Sequence, residues 1–168
     1  YNEGGDGQMA AGVEPMLVSN SNQLASVDDV FNAVLMQGDM LGDVVFYGKG
    51  AGKLPTASAV VADVIDCVKH FKARKYLFWE DAKPNYVADF GSMETSAFVR
   101  VSAKDSDTAL NTAADVFGKI TPLLAKRPVQ GEAGFTVENL TEKELSDKLA
   151  ALEARGVKVE GRIRISDY

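Results

Sequence analysis

Residues 141–165 read TEKELSDKLAALEARGVKVEGRIRI and contain the clearest structural signal of the chain. Thr141 and Glu144 have the spacing of a capping box, in which each side chain satisfies a backbone N–H of the other residue. Leucines at 145, 149 and 152 then form one helical stripe, and Gly156 is placed to end the helix. From 157 to 165 apolar and charged residues alternate, which predicts a strand whose charged residues, Arg162 and Arg164 among them, lie on its exposed face.

The residues before this stretch extend the pattern to six elements. Residues 97–103 alternate as a strand, and Asp105-Ser-Asp107 begins a helix that Gly118 closes. Two more strand candidates lie at 120–124 and 133–137. The order is β-α-β-β-α-β, the split-βαβ or ferredoxin-like arrangement. We therefore predict one antiparallel sheet with two helices on one face over residues 96–168.

The N-terminal half has a different pattern. Residues 13–18 are a short strand candidate, which Pro15 places at a sheet edge or a strand start. Residues 31–36 and 43–47 predict a hairpin, because glycines and an Asp separate them. A glycine loop, residues 48–52, then leads into a helix with an apolar stripe from Ala57 to Val68. The predicted class is α+β: a partial mixed sheet with a packing helix (1–74), a linker (75–95) and the β-α-β-β-α-β unit (96–168).

Charge and composition exclude several classes of function. The chain has 18 Lys and Arg against 24 Asp and Glu, a net charge of −6, so we predict no nucleic-acid partner, which would need a basic face. One Cys and one His exclude an internal disulfide and a Cys-rich or His-rich metal site, and we predict no bound metal. No apolar run reaches the roughly 20 residues that span a bilayer, and no signal-peptide pattern is present. We predict a cytoplasmic protein without membrane association.

The glycine loop is the one motif that suggests chemistry. Gly48, Gly50 and Gly52 would let a ligand or another backbone approach closely, and the helix start that follows offers N–H groups to an anion. Thr56 lies in the first turn of this helix, where a capping role is favoured over a nucleophilic one. The spacing matches neither the dinucleotide fingerprint nor the P-loop. A tight strand-to-helix turn and contact with a ligand both remain open as explanations.

Residues 46–59 read FYGKGAGKLPTASA, and the run from Val30 to Asp63 that contains them resembles the late catalytic-domain segment of homoserine dehydrogenase. The resemblance implies an NAD(P)H-dependent oxidoreductase that interconverts aspartate 4-semialdehyde and homoserine, on the route to threonine, isoleucine and methionine. The nucleotide-binding fold, catalytic lysines and substrate-binding carboxylates of that family lie upstream of the matched segment. We therefore expect a C-terminal fragment, as the glycine-rich start at Tyr1 also suggests. It would have no catalytic residue, bind no cofactor and be inactive alone.

The resemblance also assigns roles to the two parts of the chain. Gly48, Gly50, Gly52 and Thr56 would lie near the nicotinamide end of the cofactor, and residues 1–74 would belong to the catalytic and dimerisation domain. Residues 96–168 would be an ACT-like regulatory domain with a threonine effector at Asp105, Ser106 and Asp107. That turn lacks the glycine common in the family, so a purely assembling role stays open. We expect a homodimer, and the alternative for the whole chain is a free-standing ACT-type module that binds amino acids or mediates assembly.

Overall fold

The computed structural model describes residues 9–73, 78, 81, 84 and 86–166, and it divides the chain into two compact units. One unit joins Tyr1–Leu17 to Ala82–Tyr168, and the other is Val18–Asp81. The division at residues 81–82 falls within the predicted linker, 75–95, but residues 1–17, which were predicted to belong to the N-terminal part, are grouped with the C-terminal unit. The chain start and many residues of the predicted linker lie outside the described residues. The assignment of the two parts to a catalytic and a regulatory domain stays a prediction.

The described residues form seven strands and three α-helices. In chain order these are β1 (Met16–Leu17), β2 (Phe31–Gly38), β3 (Gly42–Lys49), α1 (Lys53–Lys69), β4 (Glu94–Ser102), α2 (Ser106–Phe117), β5 (Thr121–Leu123), β6 (Glu132–Thr141), α3 (Glu142–Ala154) and β7 (Lys158–Ile165). Short 3-10 turns lie at Gln23–Ser26 and Phe90–Ser92.

The C-terminal unit is built on one five-stranded sheet in the order β1-β7-β4-β6-β5. β1 runs parallel to β7, whereas the other neighbours are antiparallel, so the sheet is mixed. From β4 onward the element order is the predicted β-α-β-β-α-β order. Both helices pack against the sheet around one core: Ala97, Val99, Val101, Ala109, Ala113, Phe117, Phe135, Val137, Leu145, Leu152 and Val157. The predicted α+β class is confirmed. The prediction of a mixed sheet for residues 1–74 was wrong in its place, because β1 joins the sheet of the C-terminal unit, whereas β2 and β3 form a separate antiparallel pair.

Helix α3 begins with the predicted capping box. The backbone N–H of Glu144 donates to Thr141 Oγ1 at 3.2 Å, and the backbone N–H of Thr141 donates to Glu144 Oε2 at 2.8 Å. The Thr141 hydroxyl also donates to Glu144 Oε2, at 3.0 Å. The hydrogen bonds from the Thr141 backbone N–H and from its hydroxyl hold the pKa of the Glu144 carboxyl below its ordinary value, because they favour its charged form. Leu145 and Leu152 of the predicted stripe are buried, and Gly156 follows the helix at φ +81°.

A β-bulge in β7 changes which face its charged side chains occupy. Arg100 pairs with Gly161 but Val101 pairs with Val159, so β7 contains one extra residue at this point. One extra residue moves every later side chain to the opposite face. Arg162 consequently lies opposite buried Val99, on the face that the helices cover. The prediction that Arg162 and Arg164 lie on the exposed face was therefore wrong.

The described residues of the second unit form a hairpin and a helix. The predicted hairpin is present: β2 and β3 pair in antiparallel fashion from Phe31↔Lys49 to Gly38↔Gly42. Gly42 takes φ +67° at the end of the turn, a conformation typical of glycine in tight hairpins. Helix α1 has the predicted apolar stripe, yet its members are 48–72% exposed: Val60, Val61, Val64, Ile65 and Val68. None of the residues described in this unit is buried. A two-stranded hairpin is at best marginally stable unless further strands or a helix cover its apolar face.

Candidate functional site

The glycine loop connects β3 to α1, and its tight course accounts for two of its three glycines. A Cβ on Gly50 would overlap the side-chain amide of Asn32 in β2, so a larger residue there would displace that side chain. Gly52 precedes the helix at φ +112° and ψ 152°, a conformation that is essentially confined to glycine. These two glycines are explained by the tight strand-to-helix turn.

Gly48 differs from Gly50 and Gly52, because neither a close contact nor a positive φ among the described residues requires a glycine at this position. A Cβ built on Gly48 would meet no atom of the described residues within 4 Å. The neighbouring Lys49 extends over the ring of Phe31, with Nζ 5.6 Å from the ring centroid. Open space beside a main-chain segment is what a ligand needs in order to approach the backbone.

The start of α1 is an open helix end. No side chain caps it, and Pro55 in its first turn has no N–H to donate. Thr56 donates its backbone N–H to the carbonyl of Gly52 at 3.1 Å, so it closes the first turn. The unsatisfied N–H groups of a helix start and its dipole favour an anion, and Lys49 and Lys53 add positive charge. The four residues predicted to contact the cofactor thus lie together in one loop and one helical turn.

The predicted effector turn lies in the other unit, and its side chains are used within the fold. Asp105 Oδ1 accepts a hydrogen bond from the backbone N–H of Thr108 at 2.7 Å and caps α2. Ser106 Oγ donates to the carbonyl of Glu132 at 2.9 Å, which attaches the helix to β6. Asp107 is exposed in the first turn of α2. Two of the three predicted effector residues therefore have structural partners.

Asp105 leads to a prediction about pH. Hydrogen bonds from the side chain and the backbone of Thr108 hold the pKa of the Asp105 carboxyl below its ordinary value. This stabilisation is fully present above the ordinary pKa, and it is lost as the pH falls through the lowered pKa of the folded state. An Asn at this position caps a helix without titrating. We expect Asp105→Asn to lose less stability than the parent chain when urea unfolding is compared at about pH 5 and about pH 2.

The control for this experiment is Asp115→Asn, an exposed substitution on the same helix. This variant should follow the parent chain over the whole acidic range. Parallel stability curves for Asp105→Asn and the parent would contradict the capping role of the ionised carboxylate.

The described part of the chain has neither a metal site nor a membrane-spanning helix. It contains no group of three or more His, Cys, Asp or Glu side chains placed to hold a metal ion. None of its helices is both long enough and apolar enough to cross a membrane. His70 Nδ1 lies 2.9 Å from Asp66 Oδ1 on the exposed end of α1, and Cys67 is also exposed.

Known proteins resemble this chain in both sequence and structure. Residues 5–65 match the family model described as homoserine dehydrogenase. A homoserine dehydrogenase from Neisseria gonorrhoeae is 34% identical over 163 residues, which cover 84% of this chain and 36% of that protein. One from Synechocystis sp. is 59% identical over 56 residues, or 33% of this chain and 13% of that protein.

Solved structures give the same result over nearly the whole chain. The homoserine dehydrogenase structure from Thiobacillus denitrificans has a TM-score of 0.69 and 28% identity, and the match covers 97% of this chain and 40% of that one. A Staphylococcus aureus homoserine dehydrogenase at pH 6.5 has a TM-score of 0.60 and 25% identity, and the match covers 92% and 36%. The chain thus spans two fifths or less of the length of these relatives.

Proposed function

Because this chain belongs to the homoserine dehydrogenase family, we propose that it is the C-terminal portion of an NAD(P)H-dependent enzyme that interconverts aspartate 4-semialdehyde and homoserine. The observation that carries the proposal is the match of residues 5–65, which include the glycine loop, to the family model. The same proposal places the enzyme in the cytoplasm, in the biosynthesis of threonine, isoleucine and methionine. A free-standing ACT-type module is not favoured, because the family match covers residues outside the ACT-like part.

The exposed apolar surfaces of residues 18–81 support a role within a larger enzyme. The stripe on α1 is half exposed or more, and Val34, Met36 and Phe46 of the hairpin are exposed as well. A helix with a well-formed apolar stripe normally buries it against another element. In the proposal α1 packs on the nucleotide-binding part of the enzyme, and the hairpin contributes to the sheet through which two copies form a dimer.

The glycine loop is the proposed contact with the cofactor. Gly48 lies beside open space, whereas Gly50 and Gly52 hold the loop in the shape that presents it. Thr56 closes the helical turn behind the loop. In this arrangement the nicotinamide end of NAD(P) approaches the backbone at Gly48, and the reacting lysines and carboxylates come from outside these residues.

Residues 96–168 are proposed to be the regulatory, ACT-like part. Threonine is the proposed effector at Asp105, Ser106 and Asp107, and assembly without an effector is the second candidate. The internal hydrogen bonds of Asp105 and Ser106 favour the second candidate, because an effector would compete for the same atoms.

The dehydrogenase proposal can be tested with a chimera and with the chain alone. We expect the 168-residue chain to show no oxidation of NADPH with aspartate 4-semialdehyde, because hydride transfer needs a bound dinucleotide and a positioned proton donor. A chimera of the Neisseria enzyme that carries this chain in place of its matching segment should retain turnover. An inactive chimera that folds and binds NADPH normally would contradict the proposed function.

Two glycine substitutions in this chimera, one at Gly48 and one at Gly161, test the contact with the cofactor. Gly48→Ala adds a Cβ where the described residues leave space, and Gly161→Ala does the same in β7. If the cofactor approaches the loop, Gly48→Ala should raise the KM for NADPH several-fold without lowering the melting temperature. The Gly161→Ala chimera should keep the parent KM, and equal KM values for both variants would refute cofactor contact at Gly48.

A further inference from the structure

The five-stranded sheet of the C-terminal unit has helices against only one of its faces. Helices α2 and α3 pack on the face where Ala97, Val99 and Val101 of β4 are buried. Successive side chains of a strand point to opposite faces, so Phe98 of β4 points away from the helices. We call the face that carries Phe98 the open face.

An apolar band crosses the open face from one outer strand to the other. Directly paired residues share a face, and the register therefore assigns five apolar side chains to it: Leu17, Ile165, Ile163, Phe98 and Leu123. Leu17, Ile163 and Leu123 are 36–46% exposed. A sheet face that meets only water normally has polar side chains at such positions. A contiguous row of exposed apolar side chains instead marks an interaction site.

Two glycines shape this apolar band. Gly134 of β6 lies between Phe98 and Leu123, and a Cβ on it would lie 2.9 Å from Cε2 of the Phe98 ring. The ring thus lies over the Gly134 backbone and makes the band continuous. Gly161 of β7 pairs with Arg100, and a Cβ there would meet nothing within 4 Å among the described residues. It leaves an empty notch beside the band.

Four charged residues flank the apolar band, and their charges are balanced. Lys158 Nζ lies 3.0 Å from Glu160 Oε1, and Arg100 Nη1 lies 3.8 Å from Glu132 Oε2. Two of the four are positive and two are negative, whereas the whole chain has a net charge of −6. A two-fold axis brings the same patch of two copies together. A patch of one sign would repel its copy, and these balanced charges do not.

The two edges of the sheet are poor sites for pairing with a strand of another chain. β5 has three residues, and the central one, Pro122, has no backbone N–H to donate. At the other edge β1 has two residues and covers part of β7. Short outer strands and prolines are features that prevent edge-to-edge pairing. The open face is therefore the surface of this sheet that is best suited to a partner.

We propose that the open face packs against the open face of a second copy of this chain, with the two sheets stacked about 10 Å apart around a two-fold axis. The two apolar bands cover each other, and a side chain of each copy enters the notch at Gly161 of the other. The flanking charges then pair across the rim of the contact. This inference rests on the proposed assembling role of residues 96–168.

Crosslinking of the full 168-residue chain tests which faces meet. In a Cys67→Ser background, Thr136→Cys places a thiol on the open face, because Thr136 pairs with Phe98. Glu153→Cys places the thiol on the exposed side of α3 instead. A bismaleimide that spans about 10 Å should convert the Thr136→Cys chain to covalent dimers and leave the Glu153→Cys chain monomeric on a denaturing gel. Absence of dimer with Thr136→Cys, or equal yields at both positions, overturns the proposal.

Two further substitutions in the Thr136→Cys chain separate the open face from the edge of the sheet. Ile163→Glu buries a charge within the apolar band and should reduce the yield of dimer about tenfold. Leu124→Glu changes a fully exposed residue just after β5 and should leave the yield unchanged. An unchanged yield with Ile163→Glu refutes the contact. A loss with Leu124→Glu would place the contact at the β5 edge and also refutes it.

A charge swap gives a result that misfolding cannot imitate. Lys158→Glu, at an exposed position, gives the four flanking residues a net negative charge. It should lower the yield of dimer at low salt, and about 1 M salt should restore it, because charges are then screened beyond about 3 Å. Adding Glu160→Lys restores the balance and should restore the yield at low salt. A loss that neither salt nor the second substitution reverses would contradict the proposal. None of these measurements uses dehydrogenase activity, so their failure and the failure of the proposed enzyme function can be told apart.

Discussion

Gly131→Ala is expected to lower the free energy of unfolding of the C-terminal unit by about 3 kcal/mol. Gly131 takes φ +80°, which costs any residue with a side chain about 1–2 kcal/mol. An added Cβ would also lie 2.6 Å from the carbonyl oxygen of Ala103, closer than carbon and oxygen can approach. The two backbones cannot simply move apart, because the N–H of Ala103 donates to the carbonyl of Gly131 at 2.9 Å.

Gly156→Ala is the matched control for this substitution. Gly156 takes nearly the same angle, φ +81°, but a Cβ there would meet nothing within 4 Å among the described residues. It should therefore cost only the backbone strain, about 1 kcal/mol. Urea unfolding followed by circular dichroism gives both values, and an equal loss in the two variants would show that the contact with Ala103 is relieved without cost.

The second large effect is expected at Arg164. Arg164→Met should lower the free energy of unfolding by about 2 kcal/mol, less than for a fully buried ion pair because some solvent reaches the cluster. The side chain is 14% exposed and bonds three groups: Glu14, Glu142 and, through Nη2 at 2.6 Å, the carbonyl of Glu94. Methionine fills much of the same volume but leaves Glu14 without its cation.

Arg100→Met is the control for the loss of an arginine from the same sheet. Arg100 is 52% exposed and lies 3.8 Å from Glu132, so its removal should change stability by less than about 0.5 kcal/mol.

Arg164→Met should also speed hydrogen exchange at Ser166, whose N–H donates to the carbonyl of Leu17 at 2.8 Å. Exchange at the parent rate would mean that Arg164 does not hold the N-terminal strand in place.

Local signals predicted most of the C-terminal unit correctly. The capping box at Thr141 and the apolar stripe of α3 each depend on residues only a few positions apart, so local sequence is enough to predict them. The face of Arg162 was not predictable from alternation alone, because one bulged residue reverses the pattern. Gly161 inside an otherwise regular strand was the signal available, since glycine in a strand often marks a bulge.

The candidate site, too, was predictable from the sequence only in part. The glycine loop was recognisable from its sequence, but the separate reasons for Gly48, Gly50 and Gly52 depend on Asn32 and on backbone angles that no local pattern reveals. The ion pairs of Arg164 with Glu14 and Glu142 were missed because these residues come from separate stretches of the chain. Glu14 and Arg164 lie 150 positions apart, and no periodicity links residues at that distance.

Because β1 pairs with β7, the C-terminal unit cannot be moved to another protein as one continuous segment of the chain. Its sheet takes one outer strand from before residue 18 and the others from after residue 93. A truncated chain that starts at Ala82 would lose Met16 and Leu17 and leave one side of β7 with unpaired N–H and C=O groups, which recruit other strands. A graft of the complete unit onto another enzyme would therefore require two junctions.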